Sequence, residues 1–174
     1  MISQTAEYAL RAVVHLAGHA DHALTTAQIA KSTNVPAGYL AKVMQSLART
    51  RIVRSQRGLK GGFKLAHAPN DLTILAVVNA VDPIRRYASC PLGLPSHGTT
   101  LCHLHLRLDD AATAVERAFG ETTIAELLAG PRNPQQPCRF PVEGTRLEYK
   151  AKTESKTTAS KAEKRRRSKK NGHP

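Results

Sequence analysis

The sequence has no tryptophan and few other aromatic residues, 4% in all, so its core cannot be built on large rings. It has no apolar run long enough to cross a bilayer, and we expect neither a membrane span nor a secretory signal. Three cysteines are too few for a disulfide framework, which favours a reducing cytoplasm and thiols that are free or bind metal. For 174 residues we expect one modest domain packed with alanine, leucine and valine, plus extensions.

Acidic residues are also scarce. The chain has 13 Asp and Glu against 26 Lys and Arg, and its formal net charge is +13. This excess favours a polyanionic partner, either nucleic acid or an anionic membrane surface. Eleven of the basic residues lie from Arg146 onward, in a Lys-, Ser- and Thr-rich tail that we expect to be disordered. Two interpretations of this tail stay open: a solubilising extension, or additional nonspecific phosphate contact that weakens with salt.

The first third of the chain has the pattern of a helix-turn-helix. Apolar residues at helical spacing predict a helix over 5–18. Thr25 with Gln28 three residues later is a capping-box signature and predicts the start of a second helix. A tight turn follows, and Pro36 suits the first position of a third amphipathic helix over about 37–50. Two such helices joined by so short a turn form a helix-turn-helix.

Two short β-runs follow the third helix. One begins at Ile52 and the other at Phe63, and a glycine-rich loop, GLKGG, joins them. Such a pair predicts a β-hairpin with basic residues near its tip. The predicted fold is therefore mainly α with a small β-hairpin wing, a winged helix-turn-helix.

The candidate DNA contacts come from the start of the second helix, from the third helix and from the wing. Small residues around Gly38 let the third helix approach the bases closely, and Tyr39 can donate to a phosphate. Basic residues on the wing suit a narrow minor groove, and the start of the second helix suits a phosphate. Taken singly, each has the alternative of being an ordinary solvated side chain. The candidates are Thr25, Thr26, Gly38, Tyr39, Lys42, Arg49, Arg57 and Lys60.

The second half of the chain predicts a long dimerisation helix. From Leu101 to Ala118, apolar residues recur in alternating steps of three and four. This is the spacing of a coiled coil, so we expect the helix to pair with a second copy of the chain in a homodimer.

Capping signatures and prolines predict the remaining helix starts and the boundaries between the parts of the chain. Asn70-Asp71 is a candidate cap for a helix over about 73–81, and Thr123 with Glu126 predicts a last short helix. The predicted parts are a winged helix-turn-helix DNA-binding domain at 1–82, a Cys/His sensor loop at 83–101, a dimerisation helix and short terminal helix at 102–130, and a Pro-rich linker with the basic tail at 131–174.

Several segments together resemble the IscR/NsrR family of bacterial transcription regulators, often iron–sulfur sensors. The resemblance covers about residues 1–130, nearly without gaps. It implies a homodimer that binds a roughly palindromic site on double-stranded DNA, most often as a repressor. The segments are EYALRAV, NVPAGYLAKVMQSL, RIVRSQRGLKGGFKL, TILAVVNAVD and the Cys loop.

The resemblance also implies a ligand set for an iron–sulfur cluster. The first and last loop cysteines of the family match Cys90 and Cys102, and the histidine ligand of IscR-like members matches His105. The acidic ligand of NsrR-like members, which comes from the other subunit, falls at Glu7. The middle cysteine is replaced by Ser96, which argues against a four-iron cluster and leaves a two-iron two-sulfur cluster with mixed ligands.

Three interpretations of this loop stay open. The first is the two-iron cluster, used for redox or nitric oxide sensing. The second is zinc, because Cys90, His97, Cys102 and His105 offer two thiolates and two imidazoles. The third is no metal, with the cysteines serving as small apolar residues. Cys138, beyond the predicted fold, has the pattern of an inert thiol.

Other polar clusters have plainer interpretations. His15, His19 and His22 are typical of a solvated helix end, and Asp109 lies in the predicted dimerisation helix, where solvated acids are expected. The Arg85-Arg86-Tyr87 run before Cys90 is either solvated or placed near a loop that senses an anionic ligand.

The sequence contains no P-loop, nucleophile elbow or paired-carboxylate arrangement, so we expect no enzymatic activity. Two function classes remain. One is an operator-specific regulator gated at the Cys loop. The other is an architectural, cluster-free DNA-binding protein that relies on its basic tail.

Overall fold

The computed structural model describes residues 2–58, 61–94, 96 and 100–130. Lys60, His97, Cys138, the Pro-rich linker and the basic tail lie outside the described residues. The described part confirms a mainly helical fold with one two-stranded hairpin, and none of its helices has the length and apolar character of a membrane span. The elements are α1 (Gln4–Ala17), α2 (Thr26–Thr33), α3 (Ala37–Arg49), β1 (Val53–Gln56), β2 (Gly62–Leu65), α4 (Ile74–Val81), α5 (His103–Gly120) and α6 (Ile124–Leu128).

Short-range caps fix where most of the helices begin. The capping box at the start of α2 is present, with the Thr25 hydroxyl accepting from the Gln28 N–H. The C-cap of α2 is Asn34, whose left-handed backbone (φ 54°) turns the chain sharply into α3. A second capping box, between Thr123 and Glu126, starts α6 as predicted.

The predicted cap of α4 at Asn70-Asp71 was wrong. Thr73 caps this helix, and its hydroxyl accepts from the Ala76 N–H at 3.2 Å. Asp71 belongs to a preceding turn, in which its N–H donates to the Ala68 carbonyl at 2.9 Å. The buried Leu72 then anchors the chain to the core, so α4 begins only after it.

α1 forms the centre of the core. Its alanines at 9 and 12 are fully buried, and their small side chains let the neighbouring elements approach closely. The apolar face of α3 packs in the same cluster through Leu40, Val43, Met44 and Leu47. The opposite face of α3 is therefore left to solvent.

The two strands of the wing pair with each other, and the wing is also hydrogen-bonded to the segment before α2. β1 and β2 pair antiparallel, with Val53 opposite Leu65 and Gln56 opposite Gly62. Phe63 of β2 also exchanges two backbone hydrogen bonds with Leu24, at 2.8 and 3.1 Å. This bridge fixes the orientation of the hairpin relative to the helix-turn-helix.

α5 leaves much of its apolar surface uncovered in the single chain. Leu104 is 63% exposed, and Leu106, Leu108 and Val115 are also exposed. The one buried residue of this helix is His105. α5 contacts α4, which in turn packs on α1 and α3.

Candidate functional site

Two thiols and one imidazole converge where the loop meets α5. The Sγ atoms of Cys90 and Cys102 and a ring nitrogen of His105 all lie within 4.8 Å of one another. His105 Nδ1 is 3.1 Å from Cys102 Sγ and 3.6 Å from Cys90 Sγ. Cys102 is the N-cap of α5 and His105 lies one turn further on, which places both on the same side of the helix. Cys90 and His105 are buried, whereas Cys102 is partly exposed.

The start of α5 favours the thiolate form of Cys102. Its pKa is lowered from 9.0 to about 7, first by a hydrogen bond from the backbone N–H of His105 and then by one from the His105 side chain. Unpaired N–H groups at a helix N-terminus stabilise negative charge in this way. The thiolate is the form that binds metal, so this position suits a ligand.

The two nitrogen–sulfur distances are close to those around one tetrahedral ion. With metal–sulfur and metal–nitrogen bonds of ordinary length, a sulfur and a nitrogen on the same ion lie roughly 3.6 Å apart. The two observed nitrogen–sulfur distances are 3.1 and 3.6 Å. The site is therefore close to a metal-binding geometry, with one of four positions left for another ligand.

The other residues of the predicted ligand set are not in this group. Glu7 lies on α1, half-exposed, and pairs with Arg11 one turn away. Ser96, which replaces the middle cysteine, is exposed. His97 lies outside the described residues. Within a single chain, no further His, Cys, Asp or Glu of the described residues joins this group.

The segment from Arg86 to Cys90, here called the loop arm, is held against α5 by a set of contacts that sequence reasoning missed and that we call the clamp. The clamp consists of Arg86, Tyr87, Asp109 and Glu116. Arg86 donates to both carboxylate oxygens of Asp109, each at 2.7 Å, and to Glu116 at 2.9 Å. The Tyr87 N–H donates to Asp109 at 2.9 Å, and the Tyr87 ring lies 5.0 Å from the His105 ring. Cys90 is therefore positioned by contacts to the helix that carries the other two donors.

The expectation that Asp109 is a solvated acid was wrong. Its side chain is only 16% exposed. Its pKa is lowered to about 2, first by the hydrogen bonds from Arg86 and then by the backbone N–H of Tyr87. The same pairing raises the pKa of Arg86. Because the partners are 23 residues apart, no local pattern in the sequence pointed to this ion pair.

The candidate DNA contacts on α3 lie on its uncovered face. Gly38, Tyr39, Lys42 and Arg49 are all exposed. Tyr39 is held in place, because its hydroxyl hydrogen-bonds the Thr5 hydroxyl and its ring stands edge-on to Tyr8 with centroids 5.6 Å apart. This face presents two cations and an ordered phenol without competing acidic residues on the helix.

The remaining candidate contacts differ in exposure and in whether their side chains already have a hydrogen-bond partner. The Thr25 hydroxyl is engaged in the capping box, so Thr25 acts on α2 itself, and Thr26 is partly buried. Arg57 is exposed at the end of β1, next to Gly58, whose φ of 105° turns the wing. Lys60 lies outside the described residues.

The histidines at the end of α1 are not all solvated, contrary to expectation. His15 is buried, with 7% of its surface exposed, and its carbonyl oxygen lies 2.8 Å from His19 Nδ1. The rings of His15 and His19 pack at 4.4 Å, and His22 stands edge-on to His19 at 6.1 Å. Among the described residues, the group of Cys90, Cys102 and His105 is the one with metal-ligand geometry.

Known proteins resemble this chain in sequence and in fold. A protein named HTH-type transcriptional regulator from Aquifex aeolicus is 30% identical over 145 residues, covering 82% of this chain and 98% of its own length. The regulator NsrR of Geobacillus kaustophilus is 29% identical over 128 residues, covering 70% and 85%. Among solved structures, CymR, the global cysteine regulator of B. subtilis, matches with a TM-score of 0.61 at 22% identity, covering 74% of this chain and 96% of its own. T. potens IscR matches with a TM-score of 0.63 at 18% identity, covering 80% of this chain and 93% of its own.

A family model settles the relationship. Residues 2–130 match the Rrf2 family, described as an iron-dependent transcriptional regulator. The match spans the winged helix, the Cys loop and α5, and relatives with these parts are transcriptional regulators and not enzymes. The chain belongs to the Rrf2 family of DNA-binding transcriptional regulators.

Proposed function

We propose that this chain is a homodimeric repressor whose affinity for a palindromic operator is set by a metal centre at Cys90, Cys102 and His105. The observation that carries the proposal is the convergence of these three donors at the start of α5. The iron-dependent character of the family favours iron, as a two-iron two-sulfur cluster, over zinc. Such a regulator acts in the cytoplasm, where a bacterial chromosome lies.

The chemistry of the donors supports a soft metal. Two thiolates and an imidazole suit either zinc or a cluster in which histidine replaces cysteine on one iron. Both need a fourth ligand, and the candidates are Glu7 of a second subunit and His97 of the same loop. When bound, a cluster would supply a redox-sensitive and nitric-oxide-sensitive centre. The chain's own contribution is to hold the donors together and to transmit a change in their positions.

The uncovered face of α5 supports a dimer. The exposed Leu104, Leu108 and Val115 fall at coiled-coil spacing, and a stripe of this kind is unfavourable in water unless another apolar surface covers it. A second copy of α5 offers the same stripe. Two winged helices related by a two-fold axis then face half-sites about one helical turn, roughly 34 Å, apart.

The contacts of α5 supply the route from the metal centre to DNA. Cys102 and His105 are part of α5, Cys90 is fastened to it through the clamp, and α5 packs on α4. α4 in turn packs on α3, which carries Gly38, Tyr39, Lys42 and Arg49. A change at the three donors shifts α5 and hence the distance between the two recognition helices.

Anaerobic purification of the full chain without chelator, followed by iron, sulfide and zinc analysis and operator titration, tests the proposal. We expect about two iron and two sulfide per chain, lost together with operator regulation in Cys102→Ser and His105→Ala. Cys138→Ser is the matched control and should keep both. Glu7→Gln should alter the absorbance spectrum if the second subunit supplies the fourth ligand.

Other results would change the conclusion in defined ways. One zinc per chain with little sulfide would make the centre a zinc site. A metal-free protein whose operator affinity is the same in wild type and in both ligand variants would overturn the proposal. The charge of the tail favours a second candidate, an architectural DNA-binding protein, which should bind the operator and a random duplex almost equally at physiological salt.

A further inference from the structure

Cys90 and Cys102 are close enough to react with each other as well as to share a metal. Their sulfurs belong to a group whose ligand atoms all lie within 4.8 Å of one another. They come from different segments, Cys90 from the loop arm and Cys102 from the N-cap of α5. We infer that, when no metal holds them, these two cysteines form a reversible intramolecular disulfide in response to peroxide. This activity goes beyond the proposed metal-gated function and does not depend on it.

The geometry is compatible with a disulfide after a small movement. The bond requires a sulfur–sulfur distance of about 2.05 Å, so the sulfurs must approach by at most roughly 3 Å. Cys90 lies in a turn, where its carbonyl accepts from the N–H of Gly93 at 3.3 Å, and not within a helix or strand. The arm can therefore supply the movement while Cys102 stays at the end of α5.

The partly exposed Cys102 is the sulfur that meets the oxidant first. Its thiolate attacks one oxygen of hydrogen peroxide, the O–O bond breaks, and the product is a sulfenic acid plus hydroxide, which takes up the thiol proton to leave as water. The buried Cys90 sulfur then attacks the sulfenic sulfur, and the hydroxyl group leaves with the Cys90 proton as a second water. In total the two thiols lose two electrons and two protons, and one peroxide is reduced to two waters.

Disulfide formation and metal binding exclude one another at this site. The disulfide removes two of the three donors, because only thiolates bind metal. Conversely, a bound metal engages both sulfurs and protects them from peroxide. The disulfide also fixes the arm covalently to the start of α5, a second way to set the position of that helix.

The chain offers a convenient readout. Trypsin cleaves after Arg86 and Arg107, so a single peptide, residues 87–107, carries both cysteines and no other. Full-length protein is freed of metal with a chelator under anaerobic conditions and treated with one equivalent of hydrogen peroxide. It is then digested with trypsin, and the peptide masses are measured by mass spectrometry under non-reducing conditions. We expect this peptide to be about 2 Da lighter, to contain no free thiol, and to return to its original mass with dithiothreitol.

Variants and metal loading separate this reaction from general oxidation. Cys138→Ser should behave as wild type, whereas Cys90→Ser should stop at a sulfenic acid on Cys102 that dimedone traps. Protein loaded with one equivalent of Zn²⁺ should form the disulfide at least tenfold more slowly. If the peptide keeps both thiols while Cys138 is consumed, or if the cysteines link two chains instead of one, the inference is overturned. If the purified chain carries no iron, only the metal proposal is contradicted, and the inference of a disulfide is unaffected.

Discussion

Gly62→Ala should weaken both the stability of the domain and its binding to DNA, because Gly62 lies where the wing meets the loop before α2. Its φ of 155° is a conformation that L-residues rarely adopt. A Cβ at this position would lie 2.5 Å from both the carbonyl carbon and the carbonyl oxygen of Leu24, and 3.0 Å from its nitrogen. All three are backbone atoms, so no side chain can rotate out of the way.

The loss of stability in Gly62→Ala depends on whether Leu24 moves or the backbone of residue 62 stays strained. Leu24 cannot move without disturbing its two hydrogen bonds with Phe63, each of which contributes about 1 kcal/mol net. If the backbone stays in place, the residue keeps a conformation that costs on the order of 1–3 kcal/mol. We therefore expect the free energy of unfolding to fall by roughly 2–4 kcal/mol. The melting temperature should fall by roughly 6–15 °C.

Urea titration and thermal unfolding followed by circular dichroism measure the loss of stability. Operator binding, measured well below the melting temperature, should also weaken, since the wing that carries Arg57 loses its attachment to Leu24. Gly38→Ala is the matched control for the stability measurement only. A Cβ at Gly38 meets nothing within 4 Å, and alanine favours a helix over glycine, so stability should rise by up to about 1 kcal/mol. Equal stability of Gly62→Ala and wild type would refute the reasoning.

The clamp and the basic tail give two further predictions. Because the pKa of Asp109 is about 2 in the folded chain and near 3.8 when unperturbed, its ion pair stabilises the fold above about pH 4, and this contribution is lost as the pH falls towards 2. Asp109→Asn should remove that part of the pH dependence of stability between pH 2 and 5, with Asp110→Asn as control, and an unchanged profile would show that the ion pair is absent in solution. Deleting residues 145–174 should reduce the slope of log affinity against log salt while the preference for operator over random duplex remains, since phosphate contacts carry no sequence information. Loss of that preference would favour the architectural alternative.

Patterns that span three or four residues predicted the structure well. The two capping boxes, at Thr25–Gln28 and Thr123–Glu126, are interactions between residues one turn apart, so the sequence contains them whole. The apolar stripe of α3 and the glycine-rich hairpin are equally local. The cap of α4 failed because the choice between Asp71 and Thr73 depends on how Leu72 packs into the core.

The candidate site could be predicted only in part. Cys90, Cys102 and His105 lie within 16 positions of one another, and the resemblance to a known family groups them from the sequence alone. The clamp was missed, since Arg86 meets Asp109 only after the loop folds back on α5. The burial of His15 was missed for the same reason: the end of an isolated helix is solvated, and only the packing of the domain covers it.

The hydrogen bond between Tyr39 and Thr5 means that the aromatic side chain on the uncovered face of α3 is ordered before any partner binds. Fixing a free side chain at an interface costs about 0.5–1.5 kcal/mol in rotamer entropy, and much of this loss has already occurred during folding. If the phenol contacts DNA as proposed, it exchanges the Thr5 hydroxyl for a phosphate oxygen instead of being captured from many rotamers. In the proposed regulator, this order lowers the entropy cost of a phosphate contact by Tyr39 and makes that contact depend on where the phosphate lies.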